Sequence, residues 1–293
     1  MVTRRGFIGG AAALASSAAI GAPPQFGLAH LTVLGCPPPE MTRIAARAGY
    51  EYVGYRTIHM GLANEPNYDL SRNAALLRET KAALADTGVR LHNIELARIA
   101  HGVDVKPYAP AIETGAELGA RCVIASIWTD DRQAAIDSLA GLCELTAKAG
   151  MSVSLEFVSW ASIRTLRDVL TVCRAVNRAN LGLLIDVLHF NRSRVRPEEL
   201  DSVPRGWFHF AHVSDAAKEI PSTADGLIHE GREARLYPGE GAIDIASIVN
   251  RMPAIPYFLE IPNIGRVREL GYAEHARRCL AYARKYFETR LRA

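Results

Sequence analysis

Short hydrophobic strands alternate with helices from residue 25 to residue 293, and this alternation predicts a (β/α)8 TIM barrel, an α/β fold. Eight strand–helix units follow one another without a linker or a low-complexity break, in a length close to the roughly 250 residues typical of such barrels. Glycine stands between helix end and strand start at Gly49, Gly88, Gly119 and Gly150, where a helix C-terminus favours positive φ. We therefore expect one domain built on a closed parallel sheet.

The predicted elements follow in order along the chain. Strands are expected at 26–33, 50–56, 89–95, 122–127, 151–157, 181–187, 208–213 and 257–261, and helices at 39–48, 71–87, 108–118, 132–149, 163–176, 197–200, 243–250 and 269–289. Residues 215–241 have no clear pattern and are interpreted as a loop long enough to act as a lid. An open doubly wound sheet is the alternative, but Pro37, Pro38 and Pro39 follow the first strand, where a phosphate-binding turn needs backbone N–H groups.

The first 24 residues differ from the rest. Thr3-Arg4-Arg5-Gly6-Phe7 precedes a small-residue apolar stretch, and the segment resembles a twin-arginine export signal, which implies a periplasmic protein, or a cytoplasmic one if the leader is not functional. Without this segment the net charge falls from +3 to +1, which excludes nucleic acid as the expected partner. No other segment reaches the apolar length of a membrane span, so stable membrane insertion is not expected. The five cysteines lie far apart and are interpreted as buried thiols.

Four polar residues end the last four predicted strands. Strand alternation places Glu156 on the face opposite the apolar Val153, Leu155 and Phe157, and Asp186, His212 and Glu260 end the next three strands, where barrel enzymes carry their chemistry; these four are the candidate metal ligands. Any one of the acids alone could be a salt-bridged core residue. Three carboxylates at one barrel mouth repel each other, and a divalent cation resolves this, with oxygen ligands favouring Mn²⁺, Mg²⁺ or Co²⁺.

The motifs around these residues resemble the sugar phosphate isomerase/epimerase family with xylose isomerase-like barrels. They are Glu156, the D-x-x-H of Asp186 and His189, the H-x-x-D of His212 and Asp215, Glu260, and the P-G-x-G-x-x-D that begins at Pro238. The resemblance covers most of residues 25–293. It implies one divalent ion, most often Mn²⁺ with Mg²⁺, Co²⁺ or Zn²⁺ as alternatives, held by Glu156, Asp186, His212 and Glu260.

The same resemblance implies catalytic roles. Glu156 and Glu260 would exchange a proton with the carbon beside a carbonyl of a sugar-like or polyol-derived hydroxy-ketone, while His189 and Arg235 would bind substrate oxygens. Asp215 would hold His212 in place as its hydrogen-bond acceptor, with an ordinary loop acid as the alternative. Dimers and tetramers are common in the family, so the resemblance allows a homo-oligomer, but the sequence itself shows no interface pattern.

Residues after the earlier strands are further candidates for the substrate pocket: His59 after strand two, Glu95 at the end of strand three and Trp128 after strand four. His209, three residues before His212, is predicted to face the opposite side and to be structural.

The resemblance leaves the reaction open, because the family also contains dehydratases of keto-inositol or dehydroshikimate, hydroxypyruvate isomerases and enzymes that cleave keto-glycosides. A DNA-repair endonuclease on the same barrel would need further metal ligands and a basic groove, against which the near-neutral domain argues. A non-catalytic sugar-binding barrel is the remaining alternative, against which the two glutamates argue. An unphosphorylated substrate is favoured, since Glu240 stands in the one glycine-rich turn that could bind phosphate.

Overall fold

The eight predicted strands form a closed parallel barrel in sequence order, in a computed structural model that describes residues 23–61 and 65–290. Residues 1–22 of the predicted export signal lie outside the described residues. The strands are β1 Phe26–Ala29, β2 Tyr52–Arg56, β3 Arg90–Ile99, β4 Cys122–Ile127, β5 Ser152–Glu156, β6 Leu181–Asp186, β7 Phe208–Val213 and β8 Tyr257–Leu259. The fold class predicted from the sequence is therefore confirmed.

The helices surround the barrel. They are α1 Pro38–Ala48, α2 Ala74–Thr87, α3 Ala109–Glu117, α4 Arg132–Lys148, α5 Leu166–Val176, α6 Val187–Arg192, α7 Ala224–Glu233, α8 Ile245–Val249 and α9 Ile264–Arg290, the last kinked at Gly271. Within the described residues, no helix combines the length and apolar character needed to cross a membrane.

The prediction of a loop over residues 215–241 is wrong in part, because α7 lies inside it. Thr223 caps this helix by accepting the N–H of Gly226 on its side-chain oxygen. The predicted turn of helix at 197–200 is a 3₁₀ turn, Pro197–Ser202. The sequence signals for these short elements are the N-cap Thr223 of α7 and the proline that begins the 3₁₀ turn.

The first strand ends four residues earlier than predicted, because two polar side chains replace its ladder bonds. His30 accepts the backbone N–H of Arg56 on Nδ1 (2.9 Å) and donates from Nε2 to the carbonyl of Cys36 (2.8 Å). Thr32 donates to the carbonyl of Leu259 and accepts the N–H of Ile261. The chain therefore turns as a 3₁₀ segment, His30–Val33, at the barrel mouth.

His30 makes the stability of the fold depend on pH. Both of its ring nitrogens are used in the neutral form, and burial lowers its pKa to about 4. Because the unfolded chain binds a proton below pH 6.5 and the folded chain does not, stability should fall as the pH decreases from 6.5 towards 4. We expect the titration of His30 alone to lower the free energy of unfolding by about 2 kcal/mol between pH 7.5 and pH 5.0.

Urea unfolding of the wild type and of His30→Gln at both pH values measures this contribution. The variant should be less stable at pH 7.5 but lose less stability at pH 5.0. His229→Gln, which changes an exposed histidine of α7, should behave as the wild type. Equal pH dependence of the wild type and His30→Gln would show that His30 is not the titrating group.

Aromatic rings fill the lower part of the barrel and close it beneath the predicted site. His92 lies against Phe210 and Phe258 with ring centroids 5.0 Å apart in each case, and Tyr52 packs against both His92 and Phe258. Above them the ring of His212 packs against Phe210, with the two ring centroids 5.6 Å apart. The polar residues at the strand ends consequently open only towards the C-terminal mouth of the barrel.

His209 does not face away from the barrel as predicted. The register between β6 and β7 shifts at this residue, since Leu183 pairs with Phe208 and Leu184 with Phe210. The resulting bulge turns the His209 ring over Gly182, and its Nδ1 lies 2.8 Å from the hydroxyl of Ser154 on β5. Strand parity fails here because a bulge adds one residue on one side of the ladder.

All five cysteines are buried free thiols, as predicted. Burial raises the pKa of the Cys122 thiol to about 12, which keeps it in its unreactive protonated form.

Candidate metal centre and active site

The four residues predicted as metal ligands converge at the barrel mouth. Glu156 and Asp186 are the last residues of β5 and β6, His212 is the penultimate residue of β7, and Glu260 follows β8 directly. Their exposed fractions are 8%, 1%, 1% and 5%. Because the strands are parallel and adjacent, these buried side chains lie side by side.

The His212 ring faces the three carboxylates without a hydrogen bond to any of them. Its Nδ1 lies 3.7 Å from Glu156 Oε1, 3.8 Å from Asp186 Oδ2 and 3.4 Å from Glu260 Oε2. Among the described residues, Glu156 Oε1 and both ring nitrogens of His212 are buried without a hydrogen-bond partner. Buried polar atoms without partners are costly, so their convergence indicates a site built for another group.

A divalent cation fits this arrangement. Two overlapping sets of ligand atoms, Glu156 with Asp186 and His189, and Asp186 with His212 and Glu260, each lie within 4.8 Å of one another. Asp186 belongs to both sets. Carboxylate oxygens with one imidazole are the ligands of Mn²⁺, Co²⁺ or Zn²⁺ sites.

Arg235 holds two of these carboxylates in place, a role that the sequence did not indicate. Its guanidinium lies 2.7 Å from Asp186 Oδ2 and 2.8 Å from Glu260 Oε2, and it also donates to Ser214 and to the carbonyl of Gly231. The side chain is 1% exposed. Although Arg235 borders the cleft, four contacts inside the protein identify it as a positioning residue for the two carboxylates.

The charges of the cluster shift the pKa values of Glu156 and Glu260 in opposite directions. Burial raises the pKa of Glu156 to about 7, despite the lowering effect of His212 beside it. Burial also acts to raise the pKa of Glu260, but His212 and Arg235 outweigh it and hold that pKa far below its usual range. His212 shows the converse: burial acts to lower its pKa, and the surrounding carboxylates raise it well above 6.5.

Asp186 also fixes the position of His189. One oxygen of Asp186 accepts the N–H groups of Leu188 (2.7 Å) and His189 (3.1 Å), and so caps α6. The His189 ring lies edge-on against Trp160, 4.8 Å between centroids, with Nδ1 3.3 Å from the Ser159 hydroxyl. The D-x-x-H spacing therefore places an imidazole one helical turn above a proposed ligand.

Asp215 does not accept a hydrogen bond from His212, so the prediction that Asp215 holds His212 in place is wrong. Its two oxygens accept four backbone N–H groups instead, from Ala216, Gly239, Gly241 and Ile243 at 2.9–3.0 Å. Gly239 has φ +90°, and a Cβ on Gly241 would overlap Asp215 and Ala216. The P-G-x-G motif thus surrounds the Asp215 carboxylate. The N–H groups of Gly239 and Gly241 donate to that carboxylate and are not available to bind a phosphate.

A cleft above the cluster contains two of the predicted pocket residues. Glu95 lies in it, 3.1 Å from the Arg56 guanidinium, and Trp128 borders it with Nε1 donating to Ser126. His59 lies outside the lining, 38% exposed beside Glu65. The other residues that border the cleft include Leu31, Met60, Leu96, Trp160 and Arg232.

Trp160 and Arg232 are the two cleft residues with polar side-chain groups that sequence reasoning missed. Trp160 lies in an irregular segment after β5, and Arg232 is in α7, which was predicted as loop. For Trp160 the only sequence signal was an aromatic residue shortly after a strand end, and Arg232 was missed because the whole of residues 215–241 was interpreted as a loop.

Gly231 leaves room for the Trp160 indole, and Gly231→Ala should displace it. A Cβ at this position would overlap the far edge of the indole, while His189 packs against the ring. We expect a shifted tryptophan fluorescence spectrum and about tenfold weaker substrate binding, since one misplaced pocket side chain costs about 1–2 kcal/mol. Gly206→Ala, which meets nothing within 4 Å and adjoins Trp207, is the matched control. An unchanged spectrum in Gly231→Ala would contradict the packing.

The fold and the site define a barrel with an acidic, histidine-containing centre at its C-terminal mouth. A family model described as xylose isomerase-like TIM barrel matches residues 42–282, and the chain belongs to this family. Inosose isomerase of Bacillus subtilis is 24% identical over 195 residues, which are 63% of this chain and 68% of that protein. 3-Dehydroshikimate dehydratase of Pseudomonas putida is 27% identical over 140 residues, 46% of this chain.

Solved structures agree on the fold. The crystal structure of the IolI protein with a zinc atom superposes with a TM-score of 0.75 at 18% identity, covering 92% of this chain and all of that one. This chain spans 21% of the length of the P. putida dehydratase, so that similarity concerns one part of a longer protein. The related enzymes are isomerases, epimerases and dehydratases, and these relatives indicate that this protein is an enzyme.

Proposed function

We propose that this protein is a divalent-metal-dependent isomerase or epimerase that removes a proton beside the carbonyl of a sugar-like or polyol-derived hydroxy-ketone. The observation that carries the proposal is the convergence of His212, Glu156, Asp186 and Glu260, with partnerless buried atoms facing one another at the barrel mouth. The inosose isomerase relatives and the zinc-containing IolI structure support it.

The chain would supply both the ligands and the proton transfer. Glu156, Asp186, His212 and Glu260 would hold the cation, which acts as a Lewis acid that polarises the substrate carbonyl and acidifies the adjacent C–H bond. Glu156 would accept that proton, and Glu260 would exchange protons from its place directly after β8. Arg235 would keep Asp186 and Glu260 aligned, and His189 would donate to a substrate oxygen.

A dehydratase is the second candidate, favoured by the P. putida relative. The same proton removal would then be followed by loss of a hydroxyl group on the neighbouring carbon. The residues of the cluster serve both reactions, because the first step is shared.

Proton exchange in D₂O, followed by NMR with ketoses, inososes and cyclic keto-acids in the presence of Mn²⁺, tests this proposal. We expect deuterium to enter at the carbon beside the carbonyl of at least one substrate class. A retained carbon skeleton with changed configuration or carbonyl position identifies an isomerase, whereas a new alkene identifies a dehydratase. Absence of exchange in the whole panel, with metal bound, would contradict both.

A further inference from the structure

Among the described residues, Arg56, Arg232 and Arg235 border the cleft, and the exposed Arg98 lies over Trp128 at its edge. Two of these four arginines are paired with acids. Arg235 pairs with Asp186 and Glu260, and Arg56 pairs with Glu65 at 2.6 Å and with Glu95 at 3.1 Å. These four acids are therefore already engaged with guanidinium groups. The remaining two arginines are Arg98 near the end of β3 and Arg232 in α7, and their guanidinium groups are not engaged in this way.

Within the described ranges, Arg98 and Arg232 form no ion pair like those of Arg56 and Arg235. The ion pairs found in residues 23–61 and 65–290 include neither guanidinium, although the carboxylates of Glu65 and Glu233 lie near enough to act on the charge of Arg232. Across those ranges neither guanidinium donates a hydrogen bond. Arg232 is half-buried in the lining of the cleft, where an unpaired cation is not simply a solvated surface group.

Each of these guanidinium groups lies over an indole ring of the cleft. The Arg98 guanidinium is 4.9 Å from the centre of the Trp128 ring, and that of Arg232 is 5.9 Å from the centre of Trp160. A cation–π contact holds the face of a guanidinium but leaves its N–H donors unused. Burial lowers the pKa of Arg232, and the positive charges of Arg56 and Arg98 lower it further, against the weaker opposing effect of Glu65 and Glu233.

We propose that the substrate carries an anionic oxygen group, and that Arg98 and Arg232 bind this group at the mouth of the cleft. Trp128 and Trp160 hold the two guanidinium groups in position, so that their N–H donors can form charge-assisted hydrogen bonds to a carboxylate or a phosphate. That the anionic molecule is a ketone, with its carbonyl towards His212, rests on the proposed function. The two arginines are thus specificity-determining residues, separate from the proton-transfer groups.

Matched non-reactive ligands test the anion site without turnover. D-Gluconate, D-glucitol and D-glucitol 6-phosphate share a six-carbon polyol chain and differ in carrying a carboxylate, no charge or a phosphate. Isothermal titration of the Mn²⁺-loaded protein should show at least tenfold tighter binding of an anionic probe than of D-glucitol. In Arg98→Gln/Arg232→Gln this preference should fall below threefold.

The control is Arg43→Gln/Arg167→Gln, which removes two exposed arginines of α1 and α5 that form no ion pair in the described chain and should keep the preference. Tighter binding of D-gluconate supports a carboxylate, and tighter binding of the phosphate ester supports a phosphate, provided that the mouth substitutions abolish it. Equal binding of all three probes, or a preference that survives in Arg98→Gln/Arg232→Gln, would overturn the proposal.

Failure of the anion site and failure of the proposed function give different results. If the probes bind as expected but no ketone exchanges a proton, the anion site stands and the proposed reaction is wrong. If neutral ketones exchange protons at rates that Arg98→Gln/Arg232→Gln leaves unchanged and the probes bind equally, the reaction stands and the anion site is wrong.

Discussion

Glu156→Gln is expected to lower the rate of proton exchange on the best substrate by about 1,000-fold, the middle of the range for removal of a general acid–base group. Glutamine preserves the size of the side chain and one oxygen that can still ligate a cation, but an amide cannot accept the proton from carbon. The loss should therefore appear mainly in kcat, with little change in KM. NMR measurement of deuterium incorporation is the direct assay.

The matched control is Glu144→Gln on α4, whose carboxylate pairs with Arg178 at the surface. This variant undergoes the same change of charge and should retain the wild-type rate within twofold. If Glu156→Gln remained folded and kept more than a tenth of the wild-type rate, the proton would have to be removed by another group.

Asp215→Ala is expected to destabilise the protein by about 4 kcal/mol or more, because each buried N–H left without an acceptor costs about 1–3 kcal/mol. Four N–H groups lose their acceptor at once: those of Ala216 and Ile243 are buried, and those of Gly239 and Gly241 are partly buried. Three of the four belong to the segment 239–243. The segment should detach locally before the barrel unfolds. Urea unfolding measures the total, and hydrogen exchange of residues 239–243 measures the local part.

Asp244→Ala provides the comparison within the same motif. Asp244 is exposed and caps α8 by accepting the N–H of Ser247, so its loss should cost about 1 kcal/mol. Similar losses for the two variants would show that the four hydrogen bonds to Asp215 do not hold the segment. A normal exchange rate on substrate in folded Asp215→Ala would further agree with a structural role rather than a contact with His212.

The sequence predicted the barrel and the four proposed ligands because both depend on local patterns. Strand alternation and glycine at helix ends are read directly from neighbouring residues, and a buried acid at the end of an apolar strand, as at Asp186, stands out in composition alone. Parallel strands then place such residues at one mouth without further information. The D-x-x-H spacing likewise follows from a single helical turn.

The remaining features depend on contacts between distant residues. Arg235 reaches Asp186 across 49 positions, and Asp215 reaches Ile243 across 28, so no local pattern reveals either pairing. The bulge at His209 reverses the face expected from parity. Trp160 was missed because its position follows from packing against Gly231 and His189 in an irregular segment.

The most direct test of the central claim is the metal content of the purified protein after reconstitution with Mn²⁺ and removal of free ions. By elemental analysis we expect about one ion per chain in the wild type, because the folded protein brings the four ligands together before the cation binds. Glu260→Gln should retain less than about a fifth of that, since a charged ligand becomes a neutral amide and Arg235 is left with Asp186 as its remaining carboxylate partner. A wild type without metal, or a Glu260→Gln protein with the same content, would contradict the account.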